Sequence, residues 1–195
     1  MANSTSAFFY GTLMAPQVLH RVCHNSMEPD NPIFATHQFK SYPAVLHNFR
    51  RHRVRGCDYP AIVPSTGDSV RGTYVTGLTE NDVRRLDLFE GPEYRRDIVK
   101  AHILTTVGDE AGRGNIEGDT VECQTYIWQS SPENLEDSTW DFAEFKREKL
   151  SYWASPAGAV EYEDVDKEYV DGTGGRGASG DITKALKEEH ERARE

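Results

Sequence analysis

Cysteine is scarce. Cys23, Cys57 and Cys123 are the full complement, odd in number and widely spaced. This excludes a disulfide framework and fits free thiols in a reducing compartment, so a cytoplasmic protein is expected. Long apolar runs are missing too, and no stretch of the 195 residues approaches the length of a membrane-spanning helix. The start, Met1-Ala2-Asn3-Ser4-Thr5-Ser6, has neither a basic segment nor an apolar core and does not read as a signal peptide. No membrane partner is expected. Positive charge is in deficit, with 22 Lys and Arg against 32 Asp and Glu, a net charge of −10. A general nucleic-acid binder needs the opposite balance to displace counterions, so no nucleic-acid partner is expected either. Hydrophobic residues make up only 37% of the chain, which points to a polar segment outside the core. Internal repeats are absent.

What is present divides the chain at about residue 156. Residues 1–156 read as one domain, and 157–195 as an acidic, glycine-rich flexible tail with a possible terminal helix. Ala7 to Tyr10 suits a buried strand, and Pro16 to Cys23 a short helix with proline in its first turn. Ile33 to Phe39 is a candidate strand. Phe49 to Gly56 alternates bulky and basic residues, and Val70 to Leu78 is a strand in which Gly72 marks a bulge or a close approach. Thr79 with Asp82 forms a capping-box start for a helix that carries Val83, Leu86 and Phe89 on one side and stops at Gly91-Pro92. Ile98 to Val107 and Val121 to Trp128 are further strands around a loop from Gly108 to Asp119. Ser138, with Asp141 three residues on, caps a last helix that Trp140, Phe142, Phe145, Leu150 and Trp153 could pack onto a sheet. Beyond it, Gly172 to Gly180 reads as a linker and Asp181 to Glu195 as a charged helix former. Val160, Tyr162, Val165, Tyr169 and Val170 are the residues able to anchor the acidic stretch, which is otherwise expected to add little to core stability. The order of elements is mixed α/β or α+β with a mainly β core.

Two short segments carry the chemistry. Phe8-Phe9-Tyr10-Gly11-Thr12-Leu13 runs a strand into a glycine turn, where free backbone N–H groups can face an anion. Leu86-Asp87-Leu88-Phe89-Glu90-Gly91-Pro92-Glu93-Tyr94 puts a carboxylate at the end of a helix. There the macrodipole and the neighbouring Phe89 both favour its neutral form, and a raised pKa suits a general base working near neutral pH. Taken singly, a glycine turn and a C-terminal glutamate are ordinary features. Their combination is not.

With their order and spacing, the two segments resemble the gamma-glutamylcyclotransferase-like family, within it the branch of avirulence-induced plant proteins and their fungal relatives. Val54-Arg55-Gly56 followed by Tyr59-Pro60-Ala61-Ile62-Val63-Pro64, Thr125-Tyr126-Ile127-Trp128 and Trp140-Asp141-Phe142 extend the likeness over Ala7 to Trp153. The resemblance implies an α+β fold, a small mixed-strand β-barrel flanked by helices. It implies a reaction in which the α-amine of a γ-glutamyl amine, amide or peptide attacks its own γ-carbonyl, giving 5-oxoproline and a released amine or amino acid. Carried over by position, Tyr10, Gly11, Thr12 and Leu13 form the substrate-holding turn, Glu90 is the catalytic acid/base, and Tyr126 lines the pocket. No metal and no cofactor is required. Thr12 stands where other branches carry serine, and the hydroxyl is kept. The resemblance does not choose among γ-glutamyl peptides, glutathione and γ-glutamylamines. The rival is a non-catalytic ligand-binding or interaction protein that uses the same barrel pocket.

Other signals are weaker. His20 and His24 have the i, i+4 spacing of zinc ligands, but the sequence shows no third. Phe49 to Arg55 is basic and reads as a solvated strand face, with an arginine or two available to an anionic ligand. Nothing near Cys57 or Cys123 marks a low-pKa thiol. The single Gly174-Gly175-Arg176-Gly177 segment has acidic flanks and is not taken as a nucleic-acid signal.

Overall fold

The run Thr5–Phe9 forms the first strand, β1, and its Ala7, Phe8 and Phe9 are all buried. Apolar residues at successive positions suit a strand covered on both faces. The computed structural model describes residues 5–28, 30–109 and 111–170, with side chains to residue 167. After β1 come α1 (Pro16–His24), a short α2 (Ile33–Thr36), and the long strands β2 (Lys40–Arg53) and β3 (Pro60–Leu78). Next are α3 (Glu80–Glu90) and the hairpin β4 (Tyr94–Thr106) to β5 (Ile116–Trp128). The described chain ends with α4 (Phe142–Glu148), α5 (Leu150–Trp153), a 3-10 stretch Pro156–Tyr162 and α6 (Glu163–Val170).

The strands close into a barrel in the order β1-β3-β2-β4-β5, with β1 antiparallel to β3 and parallel to β5. This is the mixed-strand α+β barrel flanked by helices that the family resemblance implies. Two clusters fill it. One draws Phe8, Leu46, Ile62, Ala101 and Cys123 from all five strands and is the barrel interior. The other packs Val18, Leu86, Trp140, Phe145 and Trp153 of the helical layer against Phe9, Val75 and Trp128. Gly72 is a close-approach site: a Cβ there would lie 2.3 Å from the Phe9 carbonyl and 2.6 Å from the Phe8 ring. A side chain at this position would push β3 away from β1.

Several expectations need correction. Ile33 to Phe39 is not a strand. The Asn31 side chain accepts from the Ile33 amide at 3.0 Å and Pro32 has a helical backbone, so Ile33–Thr36 turns as α2. The helix cap near 140 is Asp141, which accepts from the Glu144 amide at 2.7 Å, whereas Ser138 bonds Glu136. That helix is also broken, into α4 and α5. The hairpin loop is shorter than residues 108–119 because β5 begins at Ile116.

The boundary expected at 156 falls inside the packed unit. Tyr162 and Val165 are fully buried, and the Tyr162 ring lies 6.0 Å from both Phe89 and Trp153. Arg21 forks onto Asp166 at 2.9 and 2.7 Å and covers the Tyr162 ring. Apolar anchors, with one bidentate ion pair, offset the charge of the segment. The linker and terminal helix expected within 171–195 lie outside the described residues.

Truncation after Ser155 should therefore lower the melting temperature by about 10 °C or more. Losing one large buried side chain alone costs about 3–5 kcal/mol, at about 2–4 °C per kcal/mol for a domain of this size. Tyr162→Ala in the full chain should show a fall in the same direction. Calorimetry of both variants checks this, and a truncated chain melting within about 2 °C of the full one would contradict it.

Candidate active site

Helix α3 is built to end at one place. Thr79 Oγ1 accepts from the Asp82 amide at 3.2 Å, Asp82 Oδ2 accepts from the Thr79 amide at 2.7 Å, and Val83 and Leu86 bury the inner face. Gly91 closes the helix with a φ of 70°, so Glu90 is its last residue. Beside it, β1 runs into a 3-10 turn, Thr12–Met14, in which Met14 and Ala15 donate to the Gly11 and Thr12 carbonyls. The Thr12 and Leu13 amides precede the first bonded donor and have no carbonyl partner within the turn. Gly11 is needed because a Cβ would lie 2.8 Å from the Pro60 ring.

These elements enclose a cavity of about 220 Å³. Tyr10, Gly11, Thr12, Leu13, Glu90 and Tyr126, the residues singled out from the sequence, all line it. Burial, with the negative charge of Asp87 second, raises the Glu90 carboxyl from its ordinary 4.5 to about 8. The sequence pointed to the helix dipole and Phe89. The structure adds Asp87, three residues earlier on the same helix. Tyr10 is pushed up by burial and then by Glu90, and Tyr94 and Tyr126 are likewise held protonated, with burial the leading cause.

Hydrogen bonds fix the wall. The Tyr10 hydroxyl donates to the Tyr126 carbonyl at 2.6 Å, and the Tyr126 hydroxyl donates to Asp87 Oδ1 at 2.9 Å. Arg96 bridges Asp87 through Nε and Nη2 at 2.8 and 3.2 Å. Tyr94 donates to the Pro60 carbonyl at 3.0 Å, and Arg51 to the Tyr10 carbonyl at 2.8 Å. Arg51, from the basic run, thus supports the backbone of the turn.

Sequence reasoning missed Tyr59, Tyr94, Glu161 and Asp164, all of which line the cavity. Tyr59 and Tyr94 lay within quoted motifs. Glu161 and Asp164 come from the segment read as tail, whose docking was signalled by the apolar residues named as possible anchors, among them Tyr162 and Val165. Two His and carboxylate groups with metal-ligand chemistry, His24-His37-Asp82 and His47-His102-Glu117, lie elsewhere and contribute nothing to the cavity wall.

Residues 7–143 match the family model described as gamma-glutamyl cyclotransferase, AIG2-like. The chain belongs to that family. Among curated relatives, AIG2-like protein D of Arabidopsis thaliana is 31% identical over 142 residues, 73% of this chain and 79% of that one. AIG2-like protein A of the same plant is 32% identical over 73% and 72% of the two chains. A solution structure of another Arabidopsis thaliana protein superposes with a TM-score of 0.51 at 22% identity over 90% and 87% of the two chains, a likeness of fold. The AIG2-like family model stops at residue 143, so the cavity's Glu161 and Asp164 lie beyond its matched region.

The raised Glu90 pKa fixes a stability trend. The folded state prefers the protonated form, so the stability linked to it is complete below about pH 4.5 and is lost as pH rises through about 8. Glu90→Gln should match wild type near pH 4.5 and melt several degrees higher at pH 9. Melting curves across pH 4.5–9 test this, and equal melting temperatures at pH 9 would show that Glu90 titrates normally.

Proposed function

We propose that the chain cyclises a γ-glutamyl compound, releasing 5-oxoproline and an amine or amino acid. The observation that carries this reading is the single cavity that holds Glu90, with a pKa of about 8, together with the Gly11–Leu13 amides. The substrate's α-ammonium must lose a proton before its nitrogen can attack. Glu90 in its ionised form takes that proton and returns one to the departing nitrogen. A bond forms between the α-nitrogen and the γ-carbonyl carbon, the γ C–N bond breaks, and no water is consumed. Attack is intramolecular, so a cavity that holds the substrate folded supplies much of the acceleration.

Charge in the cavity supports the same assignment. Among the described residues, no Lys, Arg or His side chain lines it. Negative oxygens of the substrate must then be met by backbone N–H groups and hydroxyls, which the Tyr10–Leu13 turn offers. Glu161 and Asp164 add carboxylates to the lining, so a leaving amine that carries positive charge is favoured over one that carries a carboxylate. Among γ-glutamyl compounds this ranks γ-glutamylamines above glutathione.

A screen of γ-glutamylamines, γ-glutamyl peptides and glutathione for 5-oxoproline release tests the proposal. Turnover is expected with at least one γ-glutamylamine, with kcat/KM rising toward pH 8 as Glu90 ionises. Glu90→Gln should lose about 10²–10⁴-fold in rate. Saturable binding of γ-glutamyl compounds without 5-oxoproline would favour the non-catalytic ligand-binding protein, and full activity in Glu90→Gln would assign the base elsewhere.

A further inference from the structure

Away from the cavity, three side chains with metal-ligand chemistry meet from three strands. Leu46 and Ala101 belong to the barrel interior, and alternation along a strand turns the residues after them, His47 on β2 and His102 on β4, outward. Two irregularities bring these rings and Glu117 of β5 together. The β2–β3 register shifts between His47 and Phe49, where Asn48 takes a φ of 62°, an uncommon conformation for a residue other than glycine. On the other side, His102 pairs with Thr120 and Leu104 with Glu117, so the β4–β5 register shifts beside the cluster as well. Bulges of this kind re-aim side chains next to sites.

The resulting geometry is convergent. His47 Nε2 lies 2.9 Å from Glu117 Oε1, and His102 Nδ1 lies 3.2 Å from Glu117 Oε2. The ring centroids are 4.9 Å apart, and one donor atom from each of the three residues falls within 4.8 Å of the others. His47 Nδ1 is 2.7 Å from Ser69 Oγ. When that nitrogen donates its proton to Ser69, a neutral His47 presents a lone pair at Nε2 to the carboxylate. In that tautomer the Nε2 lone pair and the Glu117 carboxylate can share a cation.

We propose that His47, His102 and Glu117 form a binding site for a divalent transition-metal ion of the zinc and nickel class. Two imidazole nitrogens and one carboxylate oxygen suit such borderline ions, whereas magnesium and calcium favour all-oxygen ligands. Three protein ligands on rigid strands leave the remaining coordination to water. Ser69 acts behind His47, fixing its tautomer and ring angle. The location also gives the ion a purpose. Among the described residues, the β2–β4 ladder is short and pairs Ala44 with Ile103 and Val45 with His102. An ion at His47 would tie β2 to β4 and β5 just past the end of that short seam, and would stabilise the closed barrel by mass action.

The test titrates zinc chloride and nickel chloride into the full, tag-free chain by calorimetry and follows the melting temperature. Wild type should bind one equivalent and melt higher with metal, with no rise in magnesium chloride. His47→Gln, His102→Gln and the near-isosteric Glu117→Gln should each bind at least about 10-fold more weakly, and Ser69→Ala about 10–100-fold more weakly. All four positions lie on the barrel's outer face, and circular dichroism establishes that each variant is folded. His37→Gln, in the other histidine cluster, should leave affinity unchanged. Absence of binding at roughly 100 μM metal, equal response to magnesium, or binding unaltered in the His47→Gln/His102→Gln double variant would overturn the proposal.

Discussion

The parallel contact between β1 and β5 is the constraint on which the cavity depends. A hairpin cannot join parallel neighbours, so the rest of the barrel must be threaded between the first strand and the last. Parallel pairing also puts the C-terminal ends of both strands at the same end of the barrel. Ala7 pairs with Gln124, Thr125 Oγ1 donates to the Phe8 carbonyl at 2.8 Å, and the Tyr10 hydroxyl reaches the Tyr126 carbonyl at 2.6 Å. The turn after β1 is thus fixed beside Tyr126, and Tyr126 through its own hydroxyl is fixed to Asp87 on α3. Residues from the two ends of the domain and from its central helix become one wall.

That wall explains the electrostatics. Asp87 is occupied by Arg96 and Tyr126, and its charge still disfavours ionisation of Glu90. The guanidinium of Arg96 is engaged by Asp87 and Gln124. A cavity rich in hydroxyls and carboxylates, with no basic side chain among its described residues, suits a cationic group, as the proposed substrate's ammonium would supply. On the proposed reaction, binding of such a cation would draw Glu90 toward its ionised form, the form the proposal needs as base.

A mainly β core and several of its local devices were legible in the sequence where local chemistry and global fold agree, while the barrel itself followed from the family resemblance. The Thr79–Asp82 capping box, the Gly91 stop and the close approach at Gly72 each follow from residue type and spacing. The strand expected over Ile33 to Phe39 does not form because Asn31 and Pro32 set a helical turn at Ile33–Thr36. The docking of residues 156–167 was obscured by the charge of the stretch from Glu161 to Asp171, although Tyr162 and Val165, named as possible anchors, decide its place. The His47-His102-Glu117 group was invisible for another reason. Its members are far apart in sequence and meet only through barrel pairing and two register shifts.

The central claim is that Glu90 carries an elevated pKa at the wall of the cavity. A carbon-13 titration of the glutamate side-chain carboxyls in the folded chain tests it most directly. The account predicts one glutamate titrating near pH 8, absent in Glu90→Gln and lowered when a cationic γ-glutamyl compound occupies the cavity. If the resonance lost in Glu90→Gln titrates near the ordinary 4.5, the elevated acid/base assigned to Glu90 does not exist.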